Sequence, residues 1–200
     1  MSRGLGDVYK RQYESLAASP FNKIRFCVFP KHYVYNLKEP AQYPFEIREN
    51  SPWSPSDFET EKLEKAPRNM FGGIDAMIEN PDEVWDYTRP NPSYFEHIEN
   101  TIARLGTMGI QADLILFHPY DRWGYSRMNL EQQNFYLRYV VNRFSAYHNV
   151  WWAMANEFDL FRWKPVSEWE SNAETVCRQD PYRHLRSIHT VSYTHLRAHE

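Results

Sequence analysis

The sequence predicts an α/β fold built on a parallel sheet, and two observations predict it. The run at 149–156, within NVWWAMANEFDL, is apolar without alternation, as in strands covered on both faces. Such runs alternate along the chain with segments of helical period, the order expected of strands joined by right-handed crossovers.

Taken in order, Tyr13 to Ser19 reads as the tail of a helix stopped by Pro20, and 22–29 (NKIRFCVF) as a strand. The next segment, 30–90, is rich in Pro, Trp and Tyr, shows neither period, and is far longer than an ordinary connection. Loops of that size are usually functional or disordered, and the charged middle, Glu59 to Arg68, is expected to be mobile. From Asn91 the pattern turns helical. Asn91 can cap, Pro92 suits the first turn, Phe95, Ile98, Ile102 and Leu105 recur at helical spacing, and Gly106 and Gly109 end the run. A strand at 110–117 (IQADLILF) runs into a polar and aromatic loop, His118 to Gly124. Asn129-Leu-Glu-Gln132 then opens a helix with a capping-box pattern, and Leu137, Val140, Val141, Phe144 and Tyr147 form one face. After the strand at 149–156 come a helix from Val166 to Val176 and the start of one more strand at 184–190.

Two architectures suit this order, an open doubly wound sheet and an eight-stranded barrel. No strand is followed by GxGxxG or GxxxxGK[ST], so the open nucleotide-binding sheet lacks its phosphate loop and the barrel is favoured. A complete barrel takes about 250 residues. With about four strands, the expectation is a partial (β/α)8 TIM barrel.

The ends differ from what lies between them. Residues 3–12 (RGLGDVYKRQ) and 191–200 (VSYTHLRAHE) resemble translated sequencing-adapter read-through. The expected organisation is therefore 1–12 non-native, 13–190 a partial barrel domain, and 191–200 non-native, which removes His195 and His199 from consideration. Without the ends the formal charge moves from −3 to −5, because Arg3, Lys10, Arg11 and Arg197 outnumber Asp7 and Glu200. A mildly acidic chain gives no reason to expect nucleic acid or an anionic membrane as partner, and no run of about 18 apolar residues could span a bilayer. Cys27 and Cys177 lack CxxC or zinc spacing and are expected to be buried free thiols. Seven Trp and fourteen Tyr suit stacking on sugar rings or bases, although large cores use aromatics too.

The chemistry converges on Asn156-Glu157, at the end of an apolar strand, where sheets of this kind carry their active groups. Glycosidic bond cleavage commonly uses two carboxyl groups. One protonates the leaving oxygen; the other attacks the anomeric carbon or activates water. Glu157 suits the first role, and an amide such as Asn156 can hydrogen-bond a sugar 2-hydroxyl. The bland alternative is a surface or helix-start carboxylate.

The stretches PFNKIRFCVFPKHY, GIQADLILFHPYDRWG, NVWWAMANEFDL and DPYRHLRSIH together resemble consecutive strand-and-loop segments of the apiosidase-like branch of the clan A glycoside hydrolases. The resemblance covers nearly all of 13–190. It implies that 22–29, 110–117, 149–156 and 184–190 are strands two to five of a (β/α)8 barrel. It also implies that Glu157 is the general acid/base of a retaining mechanism, and that the nucleophile, a Glu on strand seven, lies outside this chain. Arg25, within a strand, needs a carboxylate or network partner, and the resemblance suggests that it orients the nucleophile. His32 and Tyr33 after the first strand, and His118, Tyr120 and Trp123 after the second, lie on the expected active rim as candidate substrate contacts, with His189 a further one. Asp121 reads as a loop-ordering residue, Asp159 as the residue that fixes the loop after Glu157, and Trp151 and Trp152 as packing. The expected partner is carbohydrate, with no cofactor and no metal. A fragment with open sheet edges is also expected to self-associate. Two alternatives stand beside this reading: a non-catalytic barrel that binds carbohydrate or protein, and a weaker one, a metal-dependent hydrolase using His32 and His118, which has no HxH or HExxH spacing to support it.

Overall fold

The computed structural model describes residues 12–31, 40–54, 78 and 80–191. Its centre is a four-stranded sheet in the order β1 (Lys23–Cys27), β4 (Gln111–Phe117), β5 (Val150–Ala155) and β6 (Arg186–Ser187). Every pairing in it is parallel. Three helices make the connections: α1 (Pro92–Thr107), α2 (Leu130–Phe144) and α3 (Val166–Gln179). The α/β reading with a parallel sheet therefore holds, and each predicted strand and helix is present with ends shifted by a few residues.

The local signals act as the residues suggest. The Asn91 side chain accepts from the Ser93 N–H with Pro92 in the first turn of α1, and Asn129 and Gln132 form a reciprocal capping box on α2. Gly106 falls inside α1, and the chain reverses at Gly109, whose φ of 71° is readily reached without a Cβ. Apolar stripes on the helices bury Ile98, Ile102 and Leu105, and Leu137, Val140 and Val141.

The two faces of the sheet differ. Leu114 and its registered neighbour Trp152 are fully buried, and the Trp152 indole donates to Asp180, just beyond α3. On the other face Arg25, Asp113 and Trp151 are aligned across three strands. The Asp113 carboxylate lies 3.4 Å from the Arg25 guanidinium and 3.3 Å from Lys23 Nζ, and Lys23 in turn covers the Trp151 ring. Asp113 is thus the partner that a charged residue in a strand requires.

The 30–90 segment holds structure that its lack of period concealed. A helical turn, Pro81–Val84, precedes β3 (Trp85–Pro90), which pairs antiparallel with β2 (Phe45–Ile47). The hairpin is held by aromatic packing: Phe45 meets Phe29, Tyr87 and Tyr125, and the Trp85 indole donates to the Trp123 carbonyl. The expected mobile middle, 59–68, lies outside the described residues. Two further expectations are corrected. The last strand, expected over 184–190, reduces to Arg186–Ser187 beside Leu185 and Ile188, which are 60% and 46% exposed, because it is the sheet edge and nothing described packs on it. Both cysteines are free, but only Cys27 is partly buried, and burial pushes its thiol up to about 11; Cys177 is exposed. Among the described residues, no helix is long and apolar enough to cross a membrane.

Candidate active site

Glu157 lies two residues beyond the end of β5 at Ala155 and sits in the left-handed region at φ 55°, ψ 52°. Among the described non-glycine residues only Arg183 shares a positive φ. A glutamate pays about 1 kcal/mol or more for this conformation, so its surroundings must impose it. They do so from both sides. The Asn156 N–H donates to the Phe117 carbonyl of β4, while the Phe158 N–H donates to the His189 carbonyl and the His189 N–H to Ala155. Glu157 Oε2 is enclosed and has no hydrogen-bond partner among the described residues. An enclosed polar atom without a partner is costly and rare, and functional sites are where it recurs.

His118 follows β4 at the same end of the sheet and is 2% exposed. Its Nε2 lies 3.2 Å from the Phe29 carbonyl, which can only accept, so Nε2 carries the proton and Nδ1 is left as an enclosed acceptor with no partner. Burial pushes its pKa down to about 4, against the favourable Phe29 carbonyl, so the ring is neutral at ordinary pH. Tyr120 lies nearly parallel to it, with ring centroids 6.4 Å apart, and Lys31 Nζ sits 4.4 Å from the centre of the Tyr120 ring.

The structure therefore brings Asn156, Glu157, His118 and the His189 backbone to the C-terminal ends of adjacent strands, with Tyr120 stacked against His118. The His189 side chain is exposed, and Arg25 lies further back along β1 against Asp113. Trp123 is elsewhere: it is 1% exposed, nearly parallel to Tyr125, and capped by the Trp85 indole on its carbonyl. The loop folds inward there because Asp121 gathers the N–H groups of Trp123, Gly124 and Ser126, the ordering role its place in the loop suggests. Burial nevertheless pushes the Asp121 carboxyl up to about 6. Asp159 accepts from the Val191 N–H at 2.9 Å, tying the loop after Glu157 to the segment beyond β6. His32 and Tyr33 lie outside the described residues. Among the described residues, no three His, Cys, Asp or Glu side chains converge as a metal site.

Sequence reasoning did not name Asp113, although a lone acid in an otherwise apolar strand, at the register of Arg25, was the signal. It also could not foresee the Phe29 carbonyl that selects the His118 tautomer, since a backbone partner leaves no mark on the sequence.

The family model of the apiosidase-like catalytic domain matches residues 56–200. The chain belongs to the apiosidase-like family of glycoside hydrolases. This apiosidase-like chain also superimposes on a candidate glycoside hydrolase from Bacteroides vulgatus ATCC 8482, with 38% identity and a TM-score of 0.74 over 97% of its own length and 33% of the other chain. Two more distant structures share the fold. One is described as a glycoside hydrolase, with 15% identity, a TM-score of 0.53, and 92% of this chain on 33% of the other. The other is a glycoside hydrolase family 5 protein from the same Bacteroides strain, with 14% identity, a TM-score of 0.53, and 92% of this chain on 32% of the other. The apiosidase-like chain thus spans about a third of the length of these solved relatives. A search of curated proteins finds no match.

Proposed function

We propose that this chain carries the acid/base half of a retaining glycoside hydrolase active site, on strands two to five of a (β/α)8 barrel. In this reading β1, β4, β5 and β6 are those four strands. The observation that carries the proposal is Glu157 itself, on strained backbone just beyond a strand's C-terminal end, with an enclosed carboxyl oxygen that has no hydrogen-bond partner among the described residues. Support for the barrel comes from the sheet order, in which spatial neighbours are parallel and follow one another in sequence apart from the inserted hairpin.

The chemistry follows in two steps. Glu157, protonated, gives its proton to the departing glycosidic oxygen as a carboxylate nucleophile from the rest of the parent protein bonds to the anomeric carbon. Glu157, now anionic, takes a proton from the water that displaces that carboxylate, returning both groups to their starting state. Asn156 donates to a sugar hydroxyl, the neutral His118 accepts from one through Nδ1, and Tyr120 and His189 complete the described rim, with His32 and Tyr33 as further contacts. Arg25 orients the nucleophile from its seat on Asp113. Trp123 acts on substrate only by holding the loop that carries Tyr120.

The substrate in this reading is a carbohydrate, and no cofactor or metal enters the mechanism. The 200-residue chain without its nucleophile is expected to show no significant turnover, and its open sheet edges favour association with other copies. The test is Glu157→Gln in the full-length parent on an aryl glycoside: kcat should fall by about 10²–10⁴-fold. Unchanged kcat would overturn the assignment. Robust turnover by the 200-residue chain that Glu157→Gln abolishes would keep Glu157 but overturn the placement of the nucleophile elsewhere, because the chain would then supply its own.

A further inference from the structure

Seven residues beyond Glu157 the chain buries a lysine. Lys164 is 8% exposed, and its Nζ lies 3.6 Å from the centre of the Trp169 ring and 4.5 Å from that of Phe117, the last residue of β4. It donates at 2.7 Å to Gln133 Oε1 of α2, an oxygen that also accepts from Asn172 of α3. Trp169 is packed edge-on by Phe158 and Phe161, both on the turn after Glu157, and the Lys164 N–H closes that turn on the Phe161 carbonyl. One amine thus joins β4, α2 and α3, and through Trp169 it bears on Phe158, the residue immediately after Glu157.

We infer that Lys164 is a positioning residue for Glu157, holding through Trp169, Phe158 and Phe161 the turn that imposes the left-handed backbone on that glutamate. The inference rests on the reading of Glu157 as the acid/base. A strained backbone persists only where its surroundings over-determine it, and the aromatic cluster adds a constraint to the hydrogen bonds made with Phe117 and His189. The aromatic faces accept the amine in either charge state, as a cation over a ring or as an N–H donor to it.

The charge state gives the node a pH dependence. The groups facing Lys164 are Glu168 and Asn172 from α3, Gln133 from α2 and the Phe117 ring from β4; of these only Glu168 is charged, and its attraction is outweighed. Burial pushes the ammonium down to about 7 from an ordinary 10.5. When the turn opens and Lys164 reaches water its ordinary affinity for protons returns, so between about pH 7 and 10.5 the open form binds more protons than the closed one. Closure therefore strengthens as pH rises through this window, by at most about tenfold per pH unit, and is independent of this group below it.

The test uses the 200-residue chain. Amide hydrogen exchange of Phe158, Phe161 and Lys164, corrected for intrinsic rates, is measured at pH 6, 7, 8 and 9, together with the carboxyl carbon resonance of ¹³C-labelled Glu157. Wild-type protection at these amides should rise several-fold per unit above pH 7. Lys164→Met should flatten the rise and displace the Glu157 resonance, and Lys164→Arg, which cannot shed its charge, should flatten it as well. A rise that persists in either variant, or a Glu157 resonance unmoved in Lys164→Met, overturns the inference. If the exchange results hold but Glu157→Gln in the full-length parent retains its kcat, the acid/base reading falls and the positioning of the turn stands.

Discussion

Removing the carboxylate of Asp180 should uncouple the last strand from the sheet. The group is 2% exposed and takes four hydrogen bonds: from the Trp152 indole at 3.0 Å, the His184 N–H at 2.7 Å, the Tyr182 N–H at 3.2 Å and His184 Nδ1 at 2.9 Å. Hydrogen bonds to a charged group contribute about 1.5–3 kcal/mol each when their partners are enclosed. Tyr182 and the His184 backbone can turn to water, whereas the fully buried Trp152 indole cannot. Asp180→Ala should therefore cost about 3–4 kcal/mol, most of it from the stranded indole N–H and the lost tie to the His184 ring. Asp180→Asn keeps the volume and one acceptor oxygen, and should cost about half as much. Burial alone would raise the Asp180 carboxyl, but hydrogen bonds from His184 and Trp152 more than offset it and hold the group below the usual carboxylate range. Its contribution is therefore complete above that range and is lost as pH falls through the depressed value, so the gap between wild type and Asp180→Asn should close in acid. Urea unfolding followed by tryptophan fluorescence gives the free energies, and exchange at the Trp152 amide, which donates to Leu185, reports the strand. Asp180→Ala within 1 kcal/mol of wild type, or Asp180→Asn as damaging as Asp180→Ala, would refute the reasoning.

Asp121 should show the opposite sign. Its carboxyl is pushed up to about 6 from 3.8, so the folded chain holds the extra proton between those values and stability falls by roughly 2–3 kcal/mol as pH rises through that window. Asp121→Asn should flatten that slope in thermal melts collected from pH 3.5 to 7. Gly124→Ala should cost about 2–4 kcal/mol, because φ is +86° and the new Cβ would meet Pro81 Cβ at 2.7 Å, whereas Gly109→Ala, at φ +71° with nothing within 4 Å, should cost only about 1 kcal/mol. Equal melting temperatures for the two alanine variants would show that the Pro81 contact yields freely.

What was legible in the sequence is what one segment can state alone. The apolar faces of α1 and α2, the Asn91 and Asn129 caps and the unbroken strand runs are local patterns, and each produces its element. The β2–β3 pairing was not legible, because its alternation, Phe45-Glu46-Ile47 and Trp85-Asp86-Tyr87-Thr88, lasts only three or four residues inside a long Pro-rich segment, and the rings that bury it come from distant loops. Trp123 illustrates the limit within the site. It follows a strand end, where a sugar-stacking role is reasonable, yet three N–H groups drawn to Asp121 turn its loop inward. Lys164 was invisible for a related reason: a lysine between Trp163 and Pro165 ordinarily reads as a solvated loop residue, and only the convergence of α2, α3 and β4 encloses it.

The parallel ladder also sets an order of assembly. The segment between Cys27 and Gln111 is more than twice as long as that between Phe117 and Val150, so joining β1 to β4 closes a larger loop and surrenders more chain entropy than joining β4 to β5. Contacts closer in sequence form faster. The β4–α2–β5 unit is thus the natural nucleus, and it already contains His118, Asn156 and Glu157. The segment between Ala155 and Arg186 is as short as that between Phe117 and Val150, so His189 can close the left-handed turn at Glu157 before β1 joins. The Phe29 carbonyl that fixes the His118 tautomer is then the last part of the site to arrive.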